Sequence, residues 1–291
     1  MHGEQRAVVT ESGATLRVYE VGARAVVEPF EGPDTMVIGC QGEILAPWPN
    51  RVVDGRYSFQ GEEQQLAITE PDRGHALHGL AVWLDFAIVS QSDDRVLLQA
   101  TVQGQAGYPH RIALSIEYLL DGDGLTCSFL AENTGPSRAP FGTGPHPYLV
   151  AGPEPVDEWT LTLPATRILE VDERLSPLQQ ADVPADLDFR SGRVLGGTQL
   201  DHAFTGIERD ESGLAEVRLE SPSGGWVSLR WGSEYPWAQV FTSDLPEERF
   251  RRRGVAVEPM TCPPDAFNSG VDLFVLEPGQ EIRGAWRLAA F

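Results

Sequence analysis

The sequence predicts an all-β protein, a large antiparallel β-sandwich. Apolar and polar residues alternate through most of the chain, which is the period of a strand with one buried face. Turn sequences separate these segments at short intervals, as the 30 Gly and 22 Pro suggest. No long segment has the period of an amphipathic helix, and no repeat of about 40 to 50 residues indicates a propeller. We therefore predict a sandwich rather than a barrel or propeller.

The clearest predicted strand covers residues 112–118, where Ile112, Leu114, Ile116 and Tyr118 alternate with smaller or polar side chains. The turn sequence Asp121-Gly122-Asp123-Gly124 separates it from a second apolar segment, residues 125–129, which predicts an antiparallel hairpin. A second hairpin is predicted around residues 221–225, between strands at 217–220 and 226–231. A further short strand is expected at 161–163. The stretch 179–187 is where we expect a turn or two of helix.

The chain has 291 residues, and we expect a single domain, residues 1–291, because large sandwiches commonly reach this size as one unit. Hydrophobic residues make up 41% of the sequence, with seven Trp and twelve Phe, which is enough apolar surface for a sizeable core. No segment has the composition of an interdomain linker.

The chain is strongly acidic, with 22 basic and 43 acidic residues and a formal charge of −21. A polyanion would be repelled by this field, so nucleic acid and anionic membrane are not expected as partners. The one basic run, residues 249–253, is interpreted as a solvated turn leading into a strand rather than as a phosphate contact.

Three widely spaced cysteines occur outside any metal-binding spacing, which favours a reducing compartment. No apolar stretch is long enough for a signal peptide or a bilayer span. We expect a cytoplasmic protein, a monomer or a homodimer.

The candidate chemistry lies in three short segments punctuated by Gly or Pro, which contain His78, His146 and Glu258. Two imidazoles and one carboxylate are the groups of a metal-free proton-transfer site. Glu258 has apolar neighbours, and burial would make its carboxylate basic enough to accept a proton near neutrality. The alternatives are a buried Glu258 paired with an arginine, and histidines that serve only as structural residues.

Other kinds of site find less support in the sequence. His78, His146, Asp201, His202 and Glu258 could gather around a metal ion, but no HxxxH, HxH or HExxH spacing is present, and we predict no metal. A serine hydrolase would need a Gly-x-Ser-x-Gly elbow. No glycine-rich phosphate loop indicates a nucleotide cofactor, so we predict no cofactor.

Six ordered motifs, which span nearly the whole chain, resemble the aldose 1-epimerase family, the galactose mutarotases and their relatives. They are Ala46-Pro47-Trp48-Pro49-Asn50-Arg51-Val52 with Asp54-Gly55-Arg56-Tyr57, Ala76-Leu77-His78-Gly79, Pro140-Phe141-Gly142-Thr143-Gly144-Pro145-His146-Pro147-Tyr148, Leu200-Asp201-His202-Ala203-Phe204, Trp237-Ala238-Gln239-Val240-Phe241-Thr242, and the segment 257–268 around Glu258.

The resemblance implies an antiparallel sandwich with an open, acidic sugar cleft that interconverts the α and β anomers of a free aldose without a cofactor. It implies that Glu258 is the base and His146 the acid. The substrate-binding residues that it implies are Asn50, Arg51, His78, Tyr148, Asp201 and Gln239. Trp48 and Trp237 are interpreted as core residues and left out of the site.

This chain departs from the better-known mutarotases at Pro147 and at Leu149-Val150, where those proteins carry a polar residue and Phe-Asn. The resemblance therefore does not fix galactose as the substrate. A hexose-6-phosphate 1-epimerase that holds phosphate with the arginines of 249–253 is one alternative. The others are a non-catalytic carbohydrate-binding sandwich and a glycoside hydrolase or lyase with Asp201 as the second carboxylate.

Overall fold

The computed structural model describes residues 1–30 and 38–291, and these residues form 26 strands, five short 3-10 segments and one four-residue α-helix. The strands are β1 (Gln5–Val9), β2 (Leu16–Val21), β3 (Arg24–Ala25), β4 (Ile44–Leu45), β5 (Arg51–Val52), β6 (Arg56–Phe59), β7 (Glu62–Gln65), β8 (Ala76–Leu77), β9 (Ala87–Gln91), β10 (Arg95–Val102), β11 (Ile112–Asp121), β12 (Gly124–Asn133), β13 (Ala139–Phe141), β14 (Gly144–Pro145), β15 (Tyr148–Leu149), β16 (Thr160–Thr162), β17 (Ala165–Val171), β18 (Pro177–Asp182), β19 (Arg193–Val194), β20 (Asp201–Ile207), β21 (Ala215–Glu220), β22 (Trp226–Trp231), β23 (Trp237–Phe241), β24 (Val255–Met260), β25 (Phe274–Leu276) and β26 (Glu281–Ala290). The helical segments are Ile38–Cys40, Val53–Gly55, Ala81–Trp83, Val156–Glu158, Ala185–Leu187 and the α-helix α1, Ala266–Ser269.

Two large antiparallel sheets dominate the fold. The first has nine strands in the order β19-β16-β21-β22-β26-β12-β11-β10-β9, and the second has six in the order β15-β24-β23-β20-β17-β18. Around them lie a three-stranded sheet, β1-β2-β3, and several two-stranded pairs. The predicted all-β antiparallel sandwich is confirmed.

The hydrophobic core joins the inner faces of the two large sheets in one cluster of buried side chains. Along β11 the burial alternates strictly, with Ile112, Leu114 and Ile116 buried and the residues between them half-buried. Val240 and Val257 contribute to the same cluster from the six-stranded sheet. Because side chains in a strand point alternately to opposite faces, β11 has one face in the core, as its sequence indicates.

Both predicted hairpins form. Strands β11 and β12 pair from Ile112↔Asn133 to Asp121↔Gly124, and β21 pairs with β22 up to Glu220↔Trp226. The predicted strand at 161–163 corresponds to β16. The segments around both turns are local in sequence, which is why alternation and turn residues were sufficient to predict them.

The helical expectation for residues 179–187 is wrong over its first half. Residues 179–182 belong to β18, whose backbone pairs with β17 from Arg167↔Asp182 to Val171↔Pro177. Only Ala185–Leu187 forms a single 3-10 turn. The pairing partner overrides the weak local preference of this polar sequence, as is common for strands.

Residues 249–253 form a turn that leads into β24, as predicted, but the turn is not solvated throughout. The Arg252 side chain is only 15% exposed and pairs with Asp157 at 2.6 Å and Asp244 at 3.0 Å. Arg253 pairs with Glu28. Through these ion pairs the segment before β24 is attached to other parts of the chain.

The three cysteines are free, and Cys127 and Cys262 are buried. Within residues 1–30 and 38–291, no helix has the length and apolar character needed to cross a bilayer.

Candidate active site

The first part of the candidate site lies on neighbouring strands of the six-stranded sheet. Glu258 on β24 is directly opposite Gln239 on β23, and Gln239 is opposite Ala203 on β20. Asp201, two residues before Ala203, is therefore the diagonal neighbour of Gln239 on the same face. The Gln239 amide nitrogen donates a hydrogen bond of 2.6 Å to the Asp201 carboxylate. Strand register thus brings three polar side chains into one row.

His146 enters this row from the short connection between β14 and β15. Its backbone N–H donates to the Glu43 carbonyl at 3.0 Å, and its carbonyl accepts from the Gly42 N–H at 2.9 Å. Two residues thus lie opposite one, and Gly42 has φ +73°, which is the arrangement of a bulge with glycine in the left-handed conformation. Bulges commonly re-aim a side chain beside a site. This one sets the position of the His146 backbone.

His78 is held by the backbone of Asn50. The Asn50 N–H donates to His78 Nδ1 at 3.2 Å, and the His78 N–H donates to the Asn50 carbonyl at 2.8 Å. Because Nδ1 accepts, a neutral His78 carries its proton on Nε2. His78 is thereby prepared as a hydrogen-bond donor on that side of its ring.

The two histidines and Glu258 come together in a buried cluster. His146 Nε2 lies 3.2 Å from Glu258 Oε1, and the rings of His78 and His146 meet edge to face with centroids 5.1 Å apart. The three side chains are almost inaccessible, with exposures of 7% for His78, 4% for His146 and 2% for Glu258. Among the described residues, Glu258 contacts a histidine and has no arginine within ion-pair distance, so the alternative of a Glu258–arginine pair is wrong.

Burial shifts the proton affinities of these groups toward their neutral forms. Burial, reinforced by the charge of Asp201 and opposed by Arg51, raises the pKa of Glu258 well above its ordinary range. Burial, with a further contribution from Arg51, lowers the pKa of His146 to about 3. The same effect, with His146 and Arg51 adding to it, lowers the pKa of His78.

With the pKa of Glu258 raised and that of His146 lowered, the pair holds one shared proton at pH values between the two. A neutral imidazole beside a carboxylic acid and an imidazolium beside a carboxylate contain the same number of protons and the same net charge. Moving between these two arrangements only relocates the proton across a contact of 3.2 Å. The pair can therefore take a proton from one oxygen atom of a ligand and give a proton to another without a change in its own total charge.

Several buried polar atoms of the cluster have no hydrogen-bond partner among the described residues. These are His146 Nδ1, Glu258 Oε2 and Gln239 Oε1. A buried polar atom without a partner costs about 1 to 3 kcal/mol, so such atoms are rare in native structures unless a ligand satisfies them. Gln239 Oε1 and Glu258 Oε2 both accept hydrogen bonds, which suits a ligand with several hydroxyl groups.

Arg51 and Asn50 lie on the other side of His78. Arg51 donates from Nη1 to Asn50 Oδ1 at 3.3 Å, and the same oxygen accepts the Arg51 backbone N–H at 2.9 Å. The Asn50 amide oxygen is therefore occupied. Asn50 Nδ2 remains as a donor, together with the free edge of the Arg51 guanidinium.

Tyr148 forms a wall of the cluster. Its ring stacks on His146 with a centroid distance of 5.2 Å and an interplanar angle of 16°, and its hydroxyl donates to the Gly39 carbonyl at 2.7 Å. Its single donor hydrogen is thus already used, so Tyr148 contributes shape and an acceptor lone pair.

The three clustered side chains meet one geometric condition for a metal site, because their candidate ligand atoms lie within 4.8 Å of one another. The hydrogen bonding does not fit it. A histidine ligand binds through a deprotonated nitrogen and donates its other N–H to a partner. His78 instead accepts at Nδ1, which leaves the proton on Nε2, and His146 Nδ1 has no acceptor among the described residues. The donor set is better suited to hydrogen-bond a substrate than to bind a cation.

Several aromatic and histidine residues outside the cluster have structural roles. Trp48 and Trp237 are buried, with their indole N–H groups donating to the Ala76 carbonyl and to Asp272, in agreement with their interpretation as core residues. His75 is fully buried and bridges the Asp54 N–H and the Arg174 carbonyl.

Two acidic residues that lie near the cluster, Glu70 and Glu43, were not identified from the sequence. Glu70 accepts hydrogen bonds from two nitrogens of Arg51, and Glu43 lies opposite His146 across the bulge. Burial raises the pKa of Glu43 to about 7, although a hydrogen bond from Cys40 opposes the shift. Neither residue belongs to a motif of chemical spacing, so only their positions in space reveal them.

Comparison with known proteins identifies the family of the chain. The family model described as "Aldose 1-epimerase" matches residues 2–289. Among curated relatives, the uncharacterized protein YihR of Escherichia coli is 36% identical over 97% of this chain and 89% of its own length. Human galactose mutarotase is 27% identical over 82% of this chain and 75% of its own length.

A solved structure of an aldose epimerase homologue from C. elegans superposes with a TM-score of 0.88 over 100% of this chain and 97% of that chain, at 19% identity. At that identity the superposition supports the fold alone. The match of the family model over almost the entire sequence carries the assignment: the chain belongs to the aldose 1-epimerase family.

Proposed function

We propose that this protein is an aldose 1-epimerase that interconverts the α and β anomers of a free aldohexose by acid–base opening and closure of the ring. The observation that carries the proposal is the buried His146–Glu258 contact of 3.2 Å, with an unpartnered oxygen on Glu258 among the described residues. Mutarotation requires one proton to leave the anomeric hydroxyl and one to reach the ring oxygen. The pair is built to exchange one proton.

In the proposed reaction, Glu258 removes the proton of the anomeric hydroxyl while His146 donates a proton to the ring oxygen. The bond between C1 and the ring oxygen breaks, and the open-chain aldehyde forms. Rotation about the C1–C2 bond presents the other face of the carbonyl. The hydroxyl at C5 then attacks that face as His146 takes its proton back and Glu258 returns one to the new anomeric oxygen. Protons and electrons balance over the cycle.

The buried position of the pair favours this mechanism. The productive arrangement, imidazolium beside carboxylate, differs from the neutral arrangement only in the position of one proton. The pair can therefore reach it without exchanging a proton with solvent. A positioned proton-transfer group typically contributes a factor of about 10² to 10⁴ to the rate.

Substrate binding is proposed to use the groups around the pair. Asn50 Nδ2, the free edge of Arg51 and His78 Nε2 donate hydrogen bonds, while Gln239 Oε1 and Asp201 accept them. Tyr148 supplies the stacking wall against His146. This mixture of donors and acceptors suits a neutral polyol.

A hexose phosphate is less well suited, since Arg251, Arg252 and Arg253 have other polar partners and the Arg249 guanidinium lies over the Phe250 ring. Arg252 binds two carboxylates and the carbonyls of Gly196 and Thr198, and Arg251 binds two backbone carbonyls. For a glycoside hydrolase, Asp201 would have to act across the bond from Glu258, yet its Oδ1 accepts from the Gln239 amide.

The test is polarimetry on freshly dissolved α-glucose and α-galactose with wild type, Glu258→Gln and His146→Asn. Glu234→Gln and His110→Asn are matched controls, since both residues are at least partly buried and lie outside the cluster. Wild type and controls should speed the approach to equilibrium rotation, and the two site variants should lose nearly all of this effect. A folded Glu258→Gln with full activity would contradict the base assignment.

Two further outcomes bear on the substrate. Wild type that is inert on every aldose tried would remove the epimerase proposal and leave a carbohydrate-binding protein. A clear preference for glucose 6-phosphate over glucose would replace the free-sugar proposal by the hexose-phosphate alternative.

A further inference from the structure

We propose that Glu70 is a positioning residue of this site, which fixes the guanidinium of Arg51 and balances its charge next to His146. The inference rests on the proposed function for its kinetic readout. The inference assigns a role in the proposed function to the carboxylate of Glu70, which lies outside the six motifs named above.

The contact between Glu70 and Arg51 is a two-point ion pair. Arg51 Nε donates to Glu70 Oε2 at 2.8 Å and Arg51 Nη2 donates to Glu70 Oε1 at 3.0 Å. The side chains are 9% and 12% exposed. Two parallel hydrogen bonds fix the plane of the guanidinium as well as its distance, which a single contact does not do. Burial also removes most of the solvent that weakens an exposed pair.

The geometry divides the guanidinium into two sides. Glu70 occupies Nε and Nη2, and Nη1 points toward Asn50 Oδ1 at 3.3 Å. Asn50 in turn holds His78 through its backbone. The orientation set by Glu70 is therefore transmitted to two of the proposed substrate-binding groups.

The loop that carries Glu70 is itself held in place. The N–H groups of Thr69 and Glu70 both donate to the His75 carbonyl, at 3.1 and 3.0 Å, and the Leu77 N–H donates to Thr69 Oγ1 at 2.8 Å. The buried His75 ring anchors the same loop to Asp54 and Arg174. Glu70 is thus presented by a rigid segment, as a positioning group requires.

The charge of Glu70 matters because Arg51 opposes protonation of the acid. Arg51 contributes to the lowered pKa of both His146 and His78, after burial, and it also opposes the raised pKa of Glu258. Burial raises the pKa of Glu70, but hydrogen bonds and charge from Arg51 and Arg73 outweigh it and lower the pKa overall. Glu70 is therefore charged throughout the neutral range and offsets Arg51.

The groups that face His146 from the surrounding elements set the pH dependence. They are Glu258 from β24, His78 from the segment after β8, Arg51 from β5 and Tyr148 from β15, and the charge of Asp201 from β20 acts on Glu258. Glu43, just before β4, contacts His146 through its backbone carbonyl. Replacing the Glu70 carboxylate by an amide keeps the other groups, loosens the hold on the Arg51 guanidinium and leaves its positive charge without a counter-charge. The pair of His146 and Glu258 then loses its shared proton at lower pH.

The experiment compares Glu70→Gln with Arg73→Gln in the full-length chain. Arg73 is a matched control because it contacts the same carboxylate at 2.8 Å from a side chain that is 42% exposed, and its loss leaves the Arg51–Glu70 pair intact. The kcat/KM for mutarotation is measured against pH. For Glu70→Gln we expect a loss of about tenfold or more at neutral pH and a basic limb displaced to lower pH by on the order of one unit. Arg73→Gln should retain the wild-type limbs.

A purely structural role would lower stability and leave the limbs where they are, so wild-type limbs in folded Glu70→Gln would overturn the inference. Ring ¹⁵N shifts of the histidines, followed by NMR between about pH 4 and pH 9, give a readout that needs no turnover. Because the pKa of His146 is about 3, its ring signals in this range report the loss of the proton that it shares with Glu258 rather than protonation of the ring itself. Glu70→Gln should move this change in the His146 signals to lower pH. An unchanged titration would refute the role of Glu70 even if wild type proved inactive, whereas inactivity alone would refute only the epimerase proposal.

Discussion

Replacing Gly42 by alanine would test whether the bulge positions the proposed acid. Gly42 has φ +73°, and a Cβ added to it would lie 2.1 Å from the Leu16 carbonyl oxygen. The left-handed conformation costs a residue with a Cβ about 1 to 2 kcal/mol. The overlap adds about 1 to 3 kcal/mol, because a backbone atom must move. The free energy of unfolding should therefore fall by about 2 to 5 kcal/mol.

Gly61→Ala is the matched control for this substitution. Gly61 has φ +84°, and a Cβ there would have nothing within 4 Å, so only the conformational cost of about 1 to 2 kcal/mol applies. The stability difference between the two variants isolates the overlap with Leu16. Urea unfolding monitored by tryptophan fluorescence measures it.

The same substitution should affect the rate. The Gly42 N–H donates to the His146 carbonyl, and the Gly42 carbonyl accepts the Leu16 N–H at 2.9 Å. Moving Gly42 away from Leu16 therefore moves His146 relative to Glu258, and a displacement of about 1 Å can cost about 10² in rate. Polarimetry should find a large rate loss for folded Gly42→Ala and none for Gly61→Ala. If the two variants match in both stability and rate, the bulge does not hold the acid.

Three further predictions concern charge. Because the folded-state pKa of Glu258 is raised, its contribution to stability is present below its unfolded pKa and is lost as the pH rises through the folded-state pKa. Glu258→Gln should therefore melt at a higher temperature than wild type at alkaline pH. A difference in melting temperature between the two proteins that stays the same from acid to alkaline pH would contradict this. Asp201→Asn removes a charge that raises the pKa of Glu258, so the pH–rate profile should move to lower pH, and an unmoved profile would contradict the coupling. Arg252→Ala should lower the free energy of unfolding by about 1 to 3 kcal/mol, since it leaves the largely buried Asp244 without its partner while Asp157 is half exposed and screened by solvent. The ratio of turnover on glucose to glucose 6-phosphate should stay as in wild type, and a selective loss with the phosphate would show that Arg252 binds it.

The features of the fold that could be predicted from the sequence are those encoded locally. The alternation in β11 and the turns at 121–124 and 221–225 are visible within about ten residues, and they form as predicted. Strand β18 was not predicted, because its polar sequence is extended only through pairing with β17. Its structure is set by a neighbouring strand, and a local pattern cannot contain that information.

For the candidate site, the sequence identified which residue types to consider but not how they are held. The motifs named His78, His146 and Glu258, and the structure brings all three within one cluster. The supporting contacts come from distant parts of the chain: Gly42 and Glu43 hold the backbone of His146, and Glu70 holds Arg51. The hydrogen bond from the Tyr148 hydroxyl to the Gly39 carbonyl could not be predicted from the sequence either. Such contacts depend on the packing of loops, which no spacing rule describes.

The organisation of the cluster explains how a buried acid and base can coexist in a protein with a formal charge of −21. Two isolated buried charges would each carry a desolvation cost of several kcal/mol, but the His146–Glu258 pair with one proton is neutral overall in either arrangement. The Arg51–Glu70 pair, also neutral, lies beside it and supplies hydrogen-bond donors. The desolvation cost that no contact offsets among the described residues is that of the unpartnered atoms on Glu258, Gln239 and His146. Since a polyol can hydrogen-bond to these atoms, the proposed sugar would recover the free energy that burying them without partners costs on folding.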